Sequence, residues 1–242
     1  MKLGAVIPVY NHGEAVGAVV HAIRAHGLPV LLVDDGSHAD CAAVLDSLVA
    51  PEVHLHRLPV NQGKGGAVMA GLRVAQTLGW THALQIDADG QHDAADIPKF
   101  AAAAAEHPQH FICGCPVYDE SVPKARLYGR YATHVWVWIN TLSLAIRDSM
   151  CGFRVYPLAA VLPLIDSVSI GRRMDFDVEV AVRLYWRGVP VINQPTKVSY
   201  PTDGVSHFRA LQDNLLISWM HTRLFFGMLM RLPLLLWRKA SA

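Results

Sequence analysis

Two carboxylates one residue apart close an apolar run at His82-Ala83-Leu84-Gln85-Ile86-Asp87-Ala88-Asp89, and Gly90 then breaks it before Gln91-His92-Asp93. Apolar strands that end in acidic residues present ligand-binding groups at the carboxyl edge of open α/β sheets. At a strand end that bends at Gly90, Asp87 and Asp89 can converge on one cation, or they are an acidic turn at a strand end. Hard oxygen donors of this kind suit Mg2+ or Mn2+, with water and substrate phosphate oxygens completing the shell. Two further stretches carry chemistry. Asp34-Asp35-Gly36-Ser37 offers carboxylates to ribose hydroxyls or a base N–H, or is an ordinary Asp-Gly turn. Asn61-Gln62-Gly63-Lys64-Gly65-Gly66 lacks the spacing of a Walker motif. Its glycines let backbone approach a ligand ahead of a helix and Lys64 reach a phosphate or a base, or they are a flexible helix entry.

The elements that must position these groups alternate. Leu3 to Val9 reads as a buried strand ended by Pro8 and Asn11-His12-Gly13, and Val16, Val19, Val20 and Ile23 read as a helix stopped at Gly27. Val30 to Val33 is a second strand, Ala42 to Leu48 a short helix, Val53 to Leu58 a third strand, and a helix runs on from the glycines to Gly79. The fourth strand carries Asp87 and Asp89. Such alternation implies a parallel sheet with right-handed crossovers and a ligand edge where the strands end. Beyond Pro98, the Ala101 to Ala105 run is helical, and Phe111 to Gly114 is a fifth strand. A long helical pattern covers Lys124 to Ile146, another Phe176 to Trp186, and strands lie near Val189 and Val198.

The 242 residues suffice for one large α/β domain with an appendage. A formal charge of +1 supplies no global basic field for nucleic acid. The four cysteines have no zinc-ligand spacing, which predicts reduced and mostly buried thiols, and Met1-Lys2 runs into a strand, which leaves no targeting peptide. Leu211 to Trp237 is strongly apolar but interrupted by Asp213, His221, Arg223 and Arg231, with Pro233 near its end. Those interruptions deny it a membrane span and suit helices lying in a membrane interface, or packed on the core or a second subunit.

Taken in order, Ile7-Pro8-Val9-Tyr10-Asn11, Val33-Asp34-Asp35-Gly36-Ser37, Asn61 to Ala67 and Asp87-Ala88-Asp89-Gly90-Gln91 resemble the family 2 glycosyltransferases. Within them the chain looks most like the dolichol- or polyprenyl-phosphate sugar transferases. The likeness continues through Asp148-Ser149-Met150-Cys151-Gly152-Phe153-Arg154, Phe176-Asp177-Val178-Glu179 and Gly204-Val205-Ser206-His207-Phe208. It implies a GT-A fold, a Rossmann-like mostly parallel sheet, over residues 1–210, with an apolar and basic helical appendage over 211–242. It further implies a nucleotide-diphosphate sugar donor and Mg2+ or Mn2+. Pro8, Tyr10, Asn11, Asp34 and Asp35 would border the nucleotide, with Gly63, Lys64 and Asp87 nearby, and Asp89 and Gln91, with Asp87, would hold the metal. The expected reaction is inverting transfer to a lipid-linked acceptor at the inner face of the cytoplasmic membrane, first choice polyprenyl phosphate.

One departure bears on the acceptor. Where that branch carries a Gly-Ser-Arg type strand end, this chain reads Cys113-Gly114-Cys115-Pro116, so Arg126 and Arg130, with Arg154 and His207, are the acceptor-binding candidates. An anionic phosphate needs no base to attack the anomeric carbon, whereas a hydroxyl does. The runner-up is therefore transfer to a hydroxyl of a lipid, glycan or hydrophobic metabolite, with Asp177 as base and Asp148 and Glu179 as further catalytic candidates. A donor-binding protein without turnover is the alternative of another class, and a homodimer is a possible assembly.

Overall fold

The computed structural model describes residues 1–117, 124–198 and 209–241, with backbone alone for 124–126 and 210. Seven strands, β1 (Leu3–Val9), β2 (Val30–Asp34), β3 (Val53–Arg57), β4 (His82–Gln85), β5 (Phe111–Val117), β6 (Arg154–Pro157) and β7 (Val191–Lys197), form one sheet in the order β3-β2-β1-β4-β6-β5-β7. Eight α-helices accompany them: α1 (Gly13–Ala25), α2 (Ala39–Ser47), α3 (Lys64–Thr77), α4 (Ile97–Glu106), α5 (Lys124–Thr141), α6 (Leu158–Ser167), α7 (Phe176–Trp186) and α8 (Ala210–Ala240).

Strand side chains alternate between faces, and both faces of β1 and β2 are apolar. Val6, Leu31 and Val33 join the core that contains α3, α6 and α7 residues, while Ala5, Ile7, Val30 and Leu32 join the core beneath α1, α2 and α4. Helix α3 approaches the sheet through Gly71, where a Cβ would stand 2.5 Å from Val6 Cγ1 and 2.8 Å from Val33 Cγ2. β1 pairs with β4 only from Leu3 to Val6, so Pro8, which has no N–H to donate, falls beyond the last β4 partner. β1 therefore reaches the carboxyl edge free on that side.

The alternating pattern predicted the first four strands and first three helices within a few residues, but Asp87 and Asp89 stand in the turn after β4 rather than in the strand. Lys64, Gly65 and Gly66 are the first turn of α3, not a loop before it. The larger departure is β6, antiparallel to both β4 and β5, which the pattern did not reveal. Four residues after a glycine carry too short a period to read as a strand. Helix α6 was missed with it. α5 stops at Thr141 because Leu142 turns left-handed, φ 52°, and one strand replaces the two expected near Val189 and Val198.

The C-terminal segment is one helix of 31 residues that runs through Pro233. Its inner stripe, Met220, Leu224, Met228 and Leu235, is buried in the α3/α6/α7 core. Arg231 stacks over the Trp186 ring at 4.7 Å, and Arg238 Nη1 donates to the Trp186 carbonyl at 2.9 Å. His221 is buried at the seam with α5, 3.3 Å from Asn140 Nδ2, and burial pulls its imidazole down to about 4. Between its ordinary 6.5 and about 4 the unfolded chain binds a proton that the folded chain does not, so stability falls as pH falls through that window. At 1.36 kcal/mol per unit, acidification from about pH 7 to about pH 5 is expected to remove about 2 kcal/mol through this group. Urea unfolding of the wild-type and His221→Gln chains at both pH values checks this, the variant losing correspondingly less.

Candidate active site

The site lies at the carboxyl edge of β1, β2 and β4. Lys64, at the start of α3, sends its ammonium 2.8 and 2.9 Å from the two Asp87 oxygens and 3.0 Å from Asp177 Oδ2 on α7. Burial alone would lower this lysine, but Asp177 and Asp87 hold it well above its usual range. Burial would likewise raise Asp87, but Lys64 and then His92 hold it well below the ordinary carboxylate range. His92 Nε2 lies 3.5 Å from Asp87, and its ring stands 5.5 Å from that of Phe153.

A buried polar network backs this triad. Gln85 Nε2 donates to Asp177 Oδ1 at 3.2 Å, and the Tyr156 hydroxyl donates to Gln85 Oε1 at 2.9 Å. Arg154 is fully buried, donates to the carbonyls of Asp177 (2.8 Å), Cys151 (2.8 Å) and Ser149 (3.1 Å), and sits 3.5 Å from the Asp177 carboxylate. It braces the site from behind and is not exposed to an acceptor. Gly152 is packed against Asp87, where a Cβ would overlap the carboxylate.

Asp34 and Asp35 are committed inside the protein. Asp34 accepts from Arg57 Nε (2.7 Å) and the Ser37 N–H (2.9 Å); burial would raise it, yet those two bonds leave it below its ordinary value. Asp35 accepts the N–H groups of Gln62 (2.6 Å) and Gly63 (2.9 Å) and so pins the loop that enters α3. Its carboxyl is raised by burial, those N–H groups only partly offsetting the cost, while Asp34 adds repulsion and the Arg173 charge opposes it. Asn11, at φ 57°, accepts the His38 N–H at its side-chain oxygen and donates its own N–H to Ser37 Oγ, closing the rim beside half-buried Tyr10.

Asp89 is half-buried, and its Oδ1 accepts the Gln91 N–H at 3.0 Å across the turn at Gly90, φ 71°. That leaves a carboxylate oxygen and an amide oxygen on one tight turn, a hard donor set that fits Mg2+ or Mn2+. No group of three or more His, Cys, Asp or Glu able to hold a metal ion is present among the described residues, so a cation there would take further oxygens from substrate and water. Asp87 is turned to Lys64.

The remaining candidates separate. Asp148 is buried and accepts from Arg130 Nη2 (2.7 and 2.8 Å), His134 Nε2 (3.3 Å) and the N–H groups of Met150 and Cys151 (both 2.8 Å). Burial would raise it, but His134 and Arg130 hold it well below the carboxylate range. Glu179 is fully buried and stands outside the site, paired with Arg183 (2.7 Å) and Arg223 (3.2 Å). The side chain of Arg126 and all of His207 lie outside the described residues. Gln85, His92, Gly152 and Tyr156 were missed, since their contacts to Asp87 and Asp177 join residues far apart in sequence and leave no local signal.

A mostly parallel sheet whose carboxyl edge gathers Lys64, Asp35, Asp87 and Asp89 is the arrangement expected of the GT-A fold. The family model of glycosyl transferase family 2 matches residues 5–160, and the chain belongs to that family. A UDP-N-acetylglucosamine--dolichyl-phosphate N-acetylglucosaminyltransferase of Methanococcus voltae is 24% identical over 69% of this chain and 74% of its own. An undecaprenyl-phosphate mannosyltransferase of Micrococcus luteus is 26% identical over 81% of this chain and 82% of its own. Among solved structures, glucosyl-3-phosphoglycerate synthase of Mycobacterium tuberculosis with Mn2+, UDP-glucose and phosphoglyceric acid superposes with a TM-score of 0.67 at 12% identity, covering 94% of this chain and 79% of that one. At that identity the likeness is one of fold.

Gly152→Ala should push Asp87 off Lys64 and cut kcat/KM for sugar transfer by about 10- to 100-fold. Steady-state assays checked against the circular-dichroism unfolding midpoint test this, since a global defect would lower the midpoint as well.

Proposed function

We propose that the protein transfers a hexose from a nucleotide-diphosphate sugar to a polyprenyl phosphate, with inversion by single displacement, at a membrane surface. The observation that carries the acceptor class is the state of the carboxylates. Asp177 is engaged by Lys64, Gln85 and Arg154, and Asp148 by Arg130, His134 and two backbone N–H groups. A hydroxyl acceptor needs a free base beside the anomeric carbon, and both of these carboxylates are already taken up by partners within the protein. A phosphate monoester brings its own negative oxygen. The names of the curated relatives, a dolichyl-phosphate and an undecaprenyl-phosphate transferase, support the same class.

In this reading Pro8, Tyr10, Asn11 and the Asp35-pinned loop border the nucleotide, while Lys64 orients Asp87. Asp89 and Gln91 would hold Mg2+ or Mn2+, which when bound neutralises charge developing on the departing diphosphate. Arg130, its side chain 12% exposed, is the cation at hand for the acceptor phosphate and would exchange part of its bond to Asp148 for it. Asp177 acts by fixing Lys64.

The hydrophobic acceptor calls for a lipid-facing surface, and α8 and α5 supply one. Leu211, Leu215, Trp219, Phe226, Met230 and Trp237 form an exposed stripe on α8, beside exposed Tyr128, Tyr131 and Trp136 of α5. Arg223 is turned to Glu179, and Arg231 and Arg238 to Trp186, which leaves Lys239 as the exposed basic residue near the end of α8. No helix among the described residues is long and apolar enough to cross a membrane. An exposed apolar face along a helix that does not span instead suits one lying in a membrane interface, which would make the enzyme a peripheral membrane protein.

Transfer from radiolabelled nucleotide sugars with Mg2+ or Mn2+ into polyprenyl phosphate should yield a product that mild acid hydrolyses, and Asp89→Ala should abolish it. An acid-stable glycoside as the only product would replace this reading by the hydroxyl acceptor. Trp219→Ser combined with Phe226→Ser should lower co-sedimentation with phosphatidylglycerol vesicles about tenfold or more. Unchanged sedimentation, with dimers seen by light scattering, would give the stripe to a second copy.

A further inference from the structure

The segment that joins α6 to α7 touches both the donor loop and α8. On the donor side the Arg172 carbonyl accepts the Gly66 N–H at 3.0 Å, and Arg172 Nη1 donates to Gln62 Oε1 at 3.2 Å. A Cβ on Gly63 would stand 2.5 Å from the Arg172 carbonyl oxygen and 3.0 Å from Arg173 Cγ, and one on Gly65 would stand 2.9 Å from the Gly171 oxygen. The glycines of the donor loop thus make room for this segment. Gln62 and Gly63 are the residues whose N–H groups Asp35 accepts.

On the other side the segment is tied to α8 twice. Arg173 Nε lies 3.4 Å from Asp213 Oδ1, and Asp213 Oδ2 accepts the Arg209 N–H at 2.7 Å. Asp213 is fully buried, and among the described residues Arg173 is its charged partner. Arg223 of α8 meets Glu179 at 3.2 Å, and the same Glu179 oxygen accepts the Gly171 N–H at 2.9 Å. A buried carboxylate stripped of its partner is strongly unfavourable, so Arg173 is bound to follow Asp213.

We propose that Asp213 and Arg173 are positioning residues for the nucleotide-diphosphate donor: α8 fixes residues 171–173, and these hold the loop at 62–66 against Asp35. The inference rests on the donor site of the proposed function. It makes α8 part of the donor site as well as a surface helix. Neither residue touches the donor; each acts through the backbone N–H groups of Gln62 and Gly63.

The test is calorimetric titration of the full chain with Mn2+·UDP and Mn2+·GDP, read with whichever the wild type binds more tightly. Asp213→Asn and Arg173→Gln should each raise Kd about tenfold, and the double variant should bind no more weakly than either single one. Asp213→Glu should recover most of the loss. Arg173→Gln, at a side chain 30% exposed, guards against a folding defect in Asp213→Asn, since a merely structural role would shift its unfolding midpoint and leave Kd unchanged. Unchanged Kd in both single variants, with binding weakened by Asp35→Asn, overturns the inference and leaves the donor site standing. Absence of binding to the wild type, or unchanged binding in both Asp35→Asn and Lys64→Ala, overturns the donor site and the inference with it.

Discussion

One ammonium between two carboxylates organises this molecule. Lys64 begins α3, Asp87 follows β4, and Asp177 stands in the first turn of α7, so the contact pins three elements at a single point. Each charge is largely removed from water, and a lone charge there would be prohibitive. Together they satisfy one another, with the surplus negative charge spread into Gln85, Arg154 and His92. Any donor with two phosphates must approach a rim already balanced in this way.

The antiparallel strand β6 makes that arrangement possible. It enters the sheet between β4 and β5 and carries Arg154 and Tyr156 to the underside of the site. It also brings Gly152 against Asp87 so closely that no side chain fits. A parallel strand in the same place would run the other way and put its carboxyl end, with its loop, at the ligand edge. Reversal instead buries an arginine behind the catalytic edge, where its donors are taken by carbonyls of its own turn and of α7.

The same physics separates roles among the acidic residues. Asp177 and Glu179 share one helix turn and look alike in sequence, yet one faces Lys64 and the other faces Arg183 and Arg223. Each carboxylate is taken up by donors of its own surroundings. In the proposed reaction such saturation favours an acceptor that arrives already charged, with Arg130, paired to Asp148, as the cation that would meet it.

Much of this was legible in the chain. Apolar runs that end in Asp34-Asp35 and in Asp87-Ala88-Asp89, separated by helical spacing, specify buried strands whose acidic ends gather at one edge, because period and polarity are local properties. The motifs carried the family for the same reason. What no stretch encoded was partnership: that Asp87 turns to Lys64 while Asp89 stays with Gln91, that Asp35 holds Gly63, that Gly152 is an empty place for a carboxylate, and that Asp213 of α8 pairs with Arg173 beside the loop at 62–66. β6 was likewise hidden, being four residues long with its pairing decided by neighbours on both sides. The local pattern determined the elements and the chemistry at their ends. Only the tertiary structure decided which charges meet, because burial makes each of them depend on a partner supplied by a distant part of the chain.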